Sequence, residues 1–380
     1  MRYETEIFKT ALFQVETFRW IGVFLTALLV TSLPARGQAL GPGSSIFAND
    51  FESGGTCGWT LVVGLQLPEV AFGETVQETI GNLGEVDFFG FCGDLGDEIL
   101  FRMVDTMGDL SPQVRLLRPD GTELCSDSGA SVAEAQCTLD LTGAYRVLAE
   151  DSSSNDTGPY SLVVQRMNAP GNAQAMPFGV TQETAVSQLG EIDTFVFSAT
   201  SGDRILLRMV DTEEDISPQA RLFRPNGTLL CEDENSSVAD VLCTVDQGGM
   251  HTLLASDNNG RETGAYGLYI QRTNDPTAAE VIEIGETLSA SIALPGEVDS
   301  FVFSGVVSNQ VLVRMTDSSE TITPALRVFR TDGTLLCEAS AVSTAEVTCT
   351  LPATGTYSIL TNDGNGRDVG PYTLRVQGVV

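Results

Sequence analysis

The chain has 380 residues, with 20 Lys plus Arg against 51 Asp plus Glu, a formal net charge of −31, and 42% hydrophobic residues. So acidic a surface repels nucleic acid phosphates and anionic lipid, which excludes both as partners. The composition still supports folded cores, and 8 cysteines beside a single histidine narrow the redox and metal chemistry on offer.

The first forty residues differ in kind from the rest. Trp20 to Leu33 is an apolar run preceded by Arg19, closed by Pro34 and followed by the small residues Ala35, Gly37 and Ala39. It is shorter than the roughly 20 residues of a membrane span, and its flanks predict a secretory signal peptide over 1–39. No second apolar run follows, so no membrane span is expected. The mature chain is read as secreted, extracellular or periplasmic, beginning with an N-terminal segment at 40–66.

From there the sequence is written three times. Gly84-Glu85-Val86-Asp87-Phe88-Phe89 returns as Gly190-Glu191-Ile192-Asp193-Thr194-Phe195 and again as Gly296-Glu297-Val298-Asp299-Ser300-Phe301, each copy 106 residues after the last. A period this long is a domain rather than a solenoid unit of roughly 20–50 residues. The expected domains are 67–168, 173–274 and 279–380. Short Pro-containing linkers (Met167 to Asn172, Thr273 to Thr277) join them into a semi-rigid string.

Within a repeat the periodicity is two. An opening strand is expected near Thr75 to Ile80. Asp87, Phe89 and Phe91 share one face of the next, with Asp193, Phe195, Phe197 and Asp299, Phe301, Phe303 as their copies. Ile99–Val104 and Val114–Arg118 follow. Asp120-Gly121, Asn226-Gly227 and Asp332-Gly333 then signal two-residue hairpins. Ala144–Leu148 and Tyr160–Val164 close the copy. About eight short strands and no helix per hundred residues predict an all-β fold: three tandem antiparallel β-sandwich domains, jelly-roll-like, after the signal peptide.

The cysteines fall in register as Cys125/Cys137, Cys231/Cys243 and Cys337/Cys349. The remaining Cys57 and Cys92 would tie the N-terminal segment to repeat 1. An even count behind an export signal reads as disulfides, since zinc sites want shorter spacings and histidines.

The pattern Gly-Glu-Val-Asp-x-Phe-x-Phe, then Gly-Asp (Gly96-Asp97, Gly202-Asp203), Arg-Pro-Asp-Gly, Leu-Pro-Ala-Thr-Gly-Thr-Tyr (351–357) and Gly-Pro-Tyr-Thr-Leu-Arg-Val (370–376) resembles the bacterial pre-peptidase C-terminal domain. The resemblance covers all three repeats. It implies non-catalytic accessory modules, some of which bind calcium, collagen or polysaccharide. This chain departs from the usual arrangement in having no peptidase domain.

Candidate chemistry is thin. His251 stands where the other repeats have Tyr145 and Tyr357, and no nucleophile elbow accompanies it. Glu85 and Asp87 recur in every copy at the start of a core strand, which points to turn hydrogen bonds rather than an acid/base pair. No catalytic residue is assigned and the chain is read as no enzyme. Calcium is the one cofactor the residues admit. Its candidate ligands are Asp151, Asp156, Asp257, Asn259, Asp363 and Asn365 in three oxygen-rich loops, against the rival reading of ordinary polar turns. A second acidic loop, Asp105 to Asp109, recurs as Asp211 to Asp215 and weakly as Asp317 to Glu320. The expected function is a secreted multidomain binding, adhesion or scaffold protein whose partner is an extracellular protein or polysaccharide polymer. The alternative is a calcium- or polysaccharide-binding accessory module of a separately encoded hydrolase.

Overall fold

A computed structural model describes residues 67–379. The expected signal peptide, the 40–66 segment with Cys57, and Val380 lie outside the described residues.

Repeat 1 forms β1 (Thr75–Ile80), β2 (Val86–Gly93), β3 (Glu98–Asp105), β4 (Pro112–Leu117), β5 (Glu123–Ser128), β6 (Val132–Thr138), β7 (Gly143–Asp151) and β8 (Gly158–Arg166). Two four-stranded antiparallel sheets result, in the orders β1-β8-β3-β6 and β2-β7-β4-β5. The pairs 1–8, 2–7, 3–6 and 4–5 are those of one long hairpin folded over itself, the jelly-roll winding. Phe89, Phe91, Ile99, Phe101, Met103, Tyr145, Val147, Tyr160 and Leu162 alternate inward and fill the space between the sheets. Repeats 2 and 3 have the same eight-strand topology and their own cores, with a two-residue parallel strand (Gln174–Ala175 and Glu280–Val281) added beside the β2 counterpart. The structure is therefore all-β, built as tandem β-sandwiches.

The hairpin between β4 and β5 corrects the two-residue expectation. Arg118 and Thr122 face each other across three loop residues, with Gly121 N–H donating to Arg118 O at 2.9 Å and Arg118 N–H to Thr122 O at 2.8 Å. Gly121 alone takes a positive φ, +88°, and the register slips by one between Leu116 and Leu117. This is a type I turn with a glycine bulge. Pro119 fixes a negative φ and so forbids the mirror-image turn that a two-residue loop requires. Asp120 completes it by accepting the Thr122 N–H at 2.9 Å.

The cysteine pairs Cys125–Cys137, Cys231–Cys243 and Cys337–Cys349 lie at disulfide distance, with Cα separations of 6.6, 6.2 and 6.2 Å. Cys125 is on β5 and Cys137 on β6, edge strands of opposite sheets, so each bridge closes one side of a sandwich. The two members of a pair differ in burial. Cys137, Cys243 and Cys349 are buried and belong to the apolar cores of their repeats, whereas Cys125, Cys231 and Cys337 are half-buried and pack against those cores from the rim. Cys243 and Cys349 are thus core-packing residues that present no sulfur to a ligand. The alternation of β6 and its counterparts, in which the residue before each of these cysteines points to solvent, turns them inward.

Glu85 caps the turn before β2 by accepting the N–H groups of Gly81 and Asn82 at 2.7 and 2.8 Å.

Sheets also stack between repeats. The outer face of the β1-β8-β3-β6 sheet packs on the counterpart of β2-β7-β4-β5 in the next repeat. Leu100, Val163 and Met167 of repeat 1 meet Ile192, Phe223 and Leu254 of repeat 2. Leu206 and Tyr269 of repeat 2 meet Val298, Phe329 and Leu360 of repeat 3. This explains why β3 and its counterpart Arg204–Asp211 are buried on both faces, whereas Gln310–Asp317, at the free end of repeat 3, alternates. Where linkers alone led to a string, the structure adds a packed junction.

Candidate functional site

The two junctions are copies of one another, and each gathers buried charge. Arg102 and Arg208 point outward from β3 and its counterpart, into the next repeat. Arg102 Nη2 donates to the Asn258 carbonyl at 2.7 Å, and Arg208 Nη2 to that of Asp363 at 3.2 Å. A second arginine arrives from the other side. Arg221 grips Glu134 with both Nη atoms, and Arg327 grips Asp240 at 2.8 and 2.7 Å. Asp240 also accepts from Arg208 Nη1 at 2.8 Å. Burial pushes the Asp240 carboxyl up, but hydrogen bonds from Arg327 and Arg208 outweigh it and hold it below the ordinary carboxylate value. Burial likewise lowers the Arg102 and Arg208 guanidinia, with Glu134 and Asp240 opposing.

The loop Asp105 to Asp109 is the socket of this junction. Arg261 Nη2 reaches Asp105 Oδ2 at 2.7 Å, and Arg367 Nη2 reaches Asp211 Oδ2 at 3.0 Å. Both carboxylates are fully buried. Gln165 Nε2 crosses to Thr194 Oγ1 at 2.8 Å, and Gln271 Nε2 to Ser300 Oγ at 3.1 Å. Beside each arginine cluster lies a polar cleft. One, of about 330 Å³, is lined by Arg102, Ser131, Glu134, Gln219 and Asn258. The other, of about 450 Å³, is lined by Arg208, Asp240, Arg327, Glu338 and Asn362. The chemistry on offer is bidentate ion pairing that fixes one repeat against the next.

The calcium candidates are placed differently. Asp151 is buried and staples its own loop: Oδ1 accepts the Ser111 N–H at 2.9 Å, and Oδ2 the Asn155 and Asp156 N–H groups at 3.0 and 3.3 Å. Asp257 accepts from Ser217, Arg261 and Glu262, and Asp363 from Thr323, Arg367 and Asp368, in the same geometry. Their oxygens are thus committed to N–H donors. Asn155, Asn259 and Asn365 are exposed and Asp156 half-buried. Among the described residues no three His, Cys, Asp or Glu side chains converge as a metal site would require.

His251 is buried and stacked on Phe197 at a centroid distance of 5.7 Å. Burial lowers its pKa, with the Gly249 carbonyl 3.1 Å from Nδ1 opposing, and Nε2 has no hydrogen-bond partner. In repeat 1 the tyrosine at this position donates to Leu141 O at 2.8 Å and accepts the Leu141 N–H at 3.1 Å. His251 is too short to make that link. His251→Tyr is accordingly expected to stabilise repeat 2 by about 1 kcal/mol, seen as a raised Tm. A lowered Tm would mean that the pocket cannot take the phenol.

Asp87, Asp193 and Asp299 accept hydrogen bonds from the buried Tyr160, Tyr266 and Tyr372 at 2.7, 2.5 and 2.6 Å. Burial pushes each carboxyl up to about 6, the tyrosine opposing and the neighbouring glutamate at 85, 191 or 297 adding to it.

No family model matches the chain, and no curated protein matches it. Solved structures do. The pre-peptidase C-terminal domain of a collagenase from Bacillus anthracis is 17% identical, over 27% of this chain and 98% of that one, with a TM-score of 0.24. A triple jelly roll protein from the turret of an archaeal virus is 10% identical, over 81% of this chain and 89% of that one, with a TM-score of 0.17. The isomalto-dextranase of Arthrobacter globiformis, complexed with panose, is 12% identical, over 52% and 34%, with a TM-score of 0.17. Among the described residues no helix is long and apolar enough to cross a membrane.

Proposed function

We propose that the chain is a non-catalytic extracellular scaffold, a fixed head-to-tail stack of three modules that presents its flanks to a repetitive polymer. The observation that carries this reading is the duplication of the junction. Arg221 on Glu134 and Arg327 on Asp240, like Arg261 on Asp105 and Arg367 on Asp211, set the same offset twice. Modules held at fixed spacing gain avidity for a target whose repeat matches it, which freely jointed modules lose. Export is supported by the signal-peptide-like sequence pattern of 1–39 and by the three cysteine pairs at disulfide distance. The one histidine is buried away from solvent, which favours a binding over a hydrolytic role.

The test is co-sedimentation of the mature chain with insoluble polysaccharide, peptidoglycan and fibrillar collagen, beside a variant with one junction broken (Asp240→Ala). Retention by one polymer, falling about tenfold or more in the variant, is expected. Retention unchanged by the variant would sink the fixed-stack reading, and turnover of any polymer would sink the non-catalytic one.

A further inference from the structure

The second junction copies the first in its ion pairs but not in the cleft beside them. In the first junction Gln219 and Glu234 face each other across adjacent strands, and Gln219 Nε2 donates to Glu234 Oε2 at 3.2 Å. Their counterparts in repeat 3 are Ala325 and Ser340, paired in the same register on the strands Pro324–Phe329 and Leu335–Ser340. Gly364 likewise stands where repeat 2 has Asn258, and Asn362 where it has Ser256. Ala325 and Arg327 share the outward side of their strand, because Leu326 and Val328 point into the core. Shorter side chains there accompany a cleft of about 450 Å³, against about 330 Å³ in the first junction. The arginine beside it is uncovered too: the Arg327 side chain is 15% exposed where that of Arg221 is 7%. Stacking does not require these four differences, since the first junction forms without them.

The lining narrows what the wider cleft can hold. Arg208 and Asp240 come from repeat 2, and Arg327, Glu338, Ser340 and Asn362 from repeat 3. An anion entering it would meet Asp240 and Glu338 on a chain of net charge −31, and an organic cation would meet Arg208 and Arg327. A metal ion finds no three converging His, Cys, Asp or Glu side chains among the described residues. A hydroxyl group fits both kinds of lining, since it donates its proton to a carboxylate and accepts from a guanidinium on its lone pairs. Neighbouring hydroxyls of a sugar ring offer that combination on adjacent atoms. Hydrogen-bonding capacity is left for them. Arg208, with a side chain 5% exposed, has no partner for Nε. Asn362 is 3% exposed and commits Nδ2 to Asp363 O at 2.7 Å, which leaves its amide oxygen to accept. The volume falls within the range of about 300–1,000 Å³ typical of small-molecule sites.

We propose that the cleft between repeats 2 and 3 binds a neutral sugar residue, its adjacent hydroxyls held between the carboxylates of Asp240 and Glu338 and the donors of Arg327 and Arg208. The inference rests on the polymer-binding reading above and deepens it, naming an uncharged glycan as the polymer and this cleft as its contact. Gln219 takes up the corresponding space in the first junction, so one site per chain follows. The bound sugar touches both repeats, and binding therefore strengthens the junction as the junction strengthens binding.

The test is calorimetric titration of the mature chain with neutral hexasaccharides of glucose, mannose, xylose and galactose, and with hexagalacturonate as the acidic counterpart. The double variant Ala325→Gln, Ser340→Glu rebuilds the Gln219–Glu234 pair in repeat 3 and leaves Arg208, Arg327 and Asp240 in place. A neutral hexasaccharide should bind once per chain, hexagalacturonate should not, and the double variant should bind about tenfold more weakly or worse. The bound sugar should also move the urea transition of the unaltered chain upward and leave that of the variant where it was. Glu338 is exposed, so Glu338→Ala offers a second variant that spares the fold, with a loss of the same order expected. No binding by any neutral probe overturns the proposal, as does stronger binding of the acidic one, or affinity unchanged in both variants. The two readings fail separately. A polymer retained equally by the unaltered chain and the double variant removes the cleft and leaves the fixed stack. A hexasaccharide bound in the cleft of a chain that retains no polymer removes the stack reading and leaves the cleft.

Discussion

Alanine at position 240 is expected to lower the unfolding free energy by about 3 kcal/mol and to separate one denaturant transition into two. Asp240 is the sole carboxylate between Arg208, whose side chain is 5% exposed, and Arg327. Removing it leaves two guanidinia facing each other, one of them buried, without the ion pair that holds both, and only Asp363 remains to act on Arg208. The loss falls on the contact between repeats 2 and 3, whose separate cores survive, so the repeats should melt apart rather than together. Position 346 supplies the control. Glu346 pairs with Arg314 just as Asp240 pairs with Arg208, but on the uncovered face of repeat 3, where the two side chains are 40% and 45% exposed. Solvent screens that pair, so Glu346→Ala is expected to cost under about 1 kcal/mol. Urea unfolding of the two variants checks both figures. Equal costs at 240 and 346 would show that the junction does not form in solution.

The sandwich itself is legible in the sequence for a physical reason. Inward residues such as Phe89, Phe91, Tyr145 and Tyr160 alternate with outward ones, and the same alternation printed three times separates pattern from accident. The turn type is not legible from Asp120-Gly121 alone, because a third residue belongs to the loop (Pro119, Pro225 or Thr331), and the same turn with a glycine bulge forms in repeat 3 without a proline. The cysteine spacing gives the pairs, but which sulfur of each pair enters the core depends on the inward alternation of β6 and its counterparts, as with Cys243 and Cys349. The junction escapes for a different reason. A residue common to all three copies reads as a fold requirement, and a residue unique to one copy as functional. An interface between consecutive copies falls in neither class. Its upper face is shared by repeats 1 and 2, as with Val104 and Val210 against Thr316. Its lower face is shared by repeats 2 and 3, as with Arg261 and Arg367 against Asn155, or Gly260 and Gly366 against Ser154. Agreement in two copies of three is the available signal. Asp105 and Asp211 read as oxygen-rich loops because their partners lie 156 residues away, beyond any local motif.

Acidification from pH 7.5 to about 5 is expected to stabilise the protein, and the effect can be traced to three named carboxyls. Burial lifts Asp87, Asp193 and Asp299 from the ordinary value of 3.8 to about 6. A carboxyl raised on folding binds its proton more tightly in the native state than in the unfolded one. Its stabilising contribution is therefore complete below the unfolded value and is lost as pH rises through about 6. At 1.36 kcal/mol per pKa unit the full effect would be about 3 kcal/mol per site. These carboxyls are partly wetted, so screening reduces it to the order of 1–2 kcal/mol each. Below pH 4 the sign reverses. Asp151, Asp203 and Asp240 are pushed up by burial, but backbone and arginine hydrogen bonds hold them below the ordinary value, and protonation there removes stability. A maximum near pH 5 follows. Falling net charge acts in the same direction above that pH, so substitution must separate the two. The triple variant Asp87→Asn, Asp193→Asn, Asp299→Asn mimics the protonated carboxyls and keeps an oxygen for each tyrosine hydroxyl. It should be the more stable protein at pH 7.5 and show a much shallower slope between pH 5 and 7.5. A slope as steep as that of the unaltered chain would assign the effect to net charge and remove these three carboxyls from it.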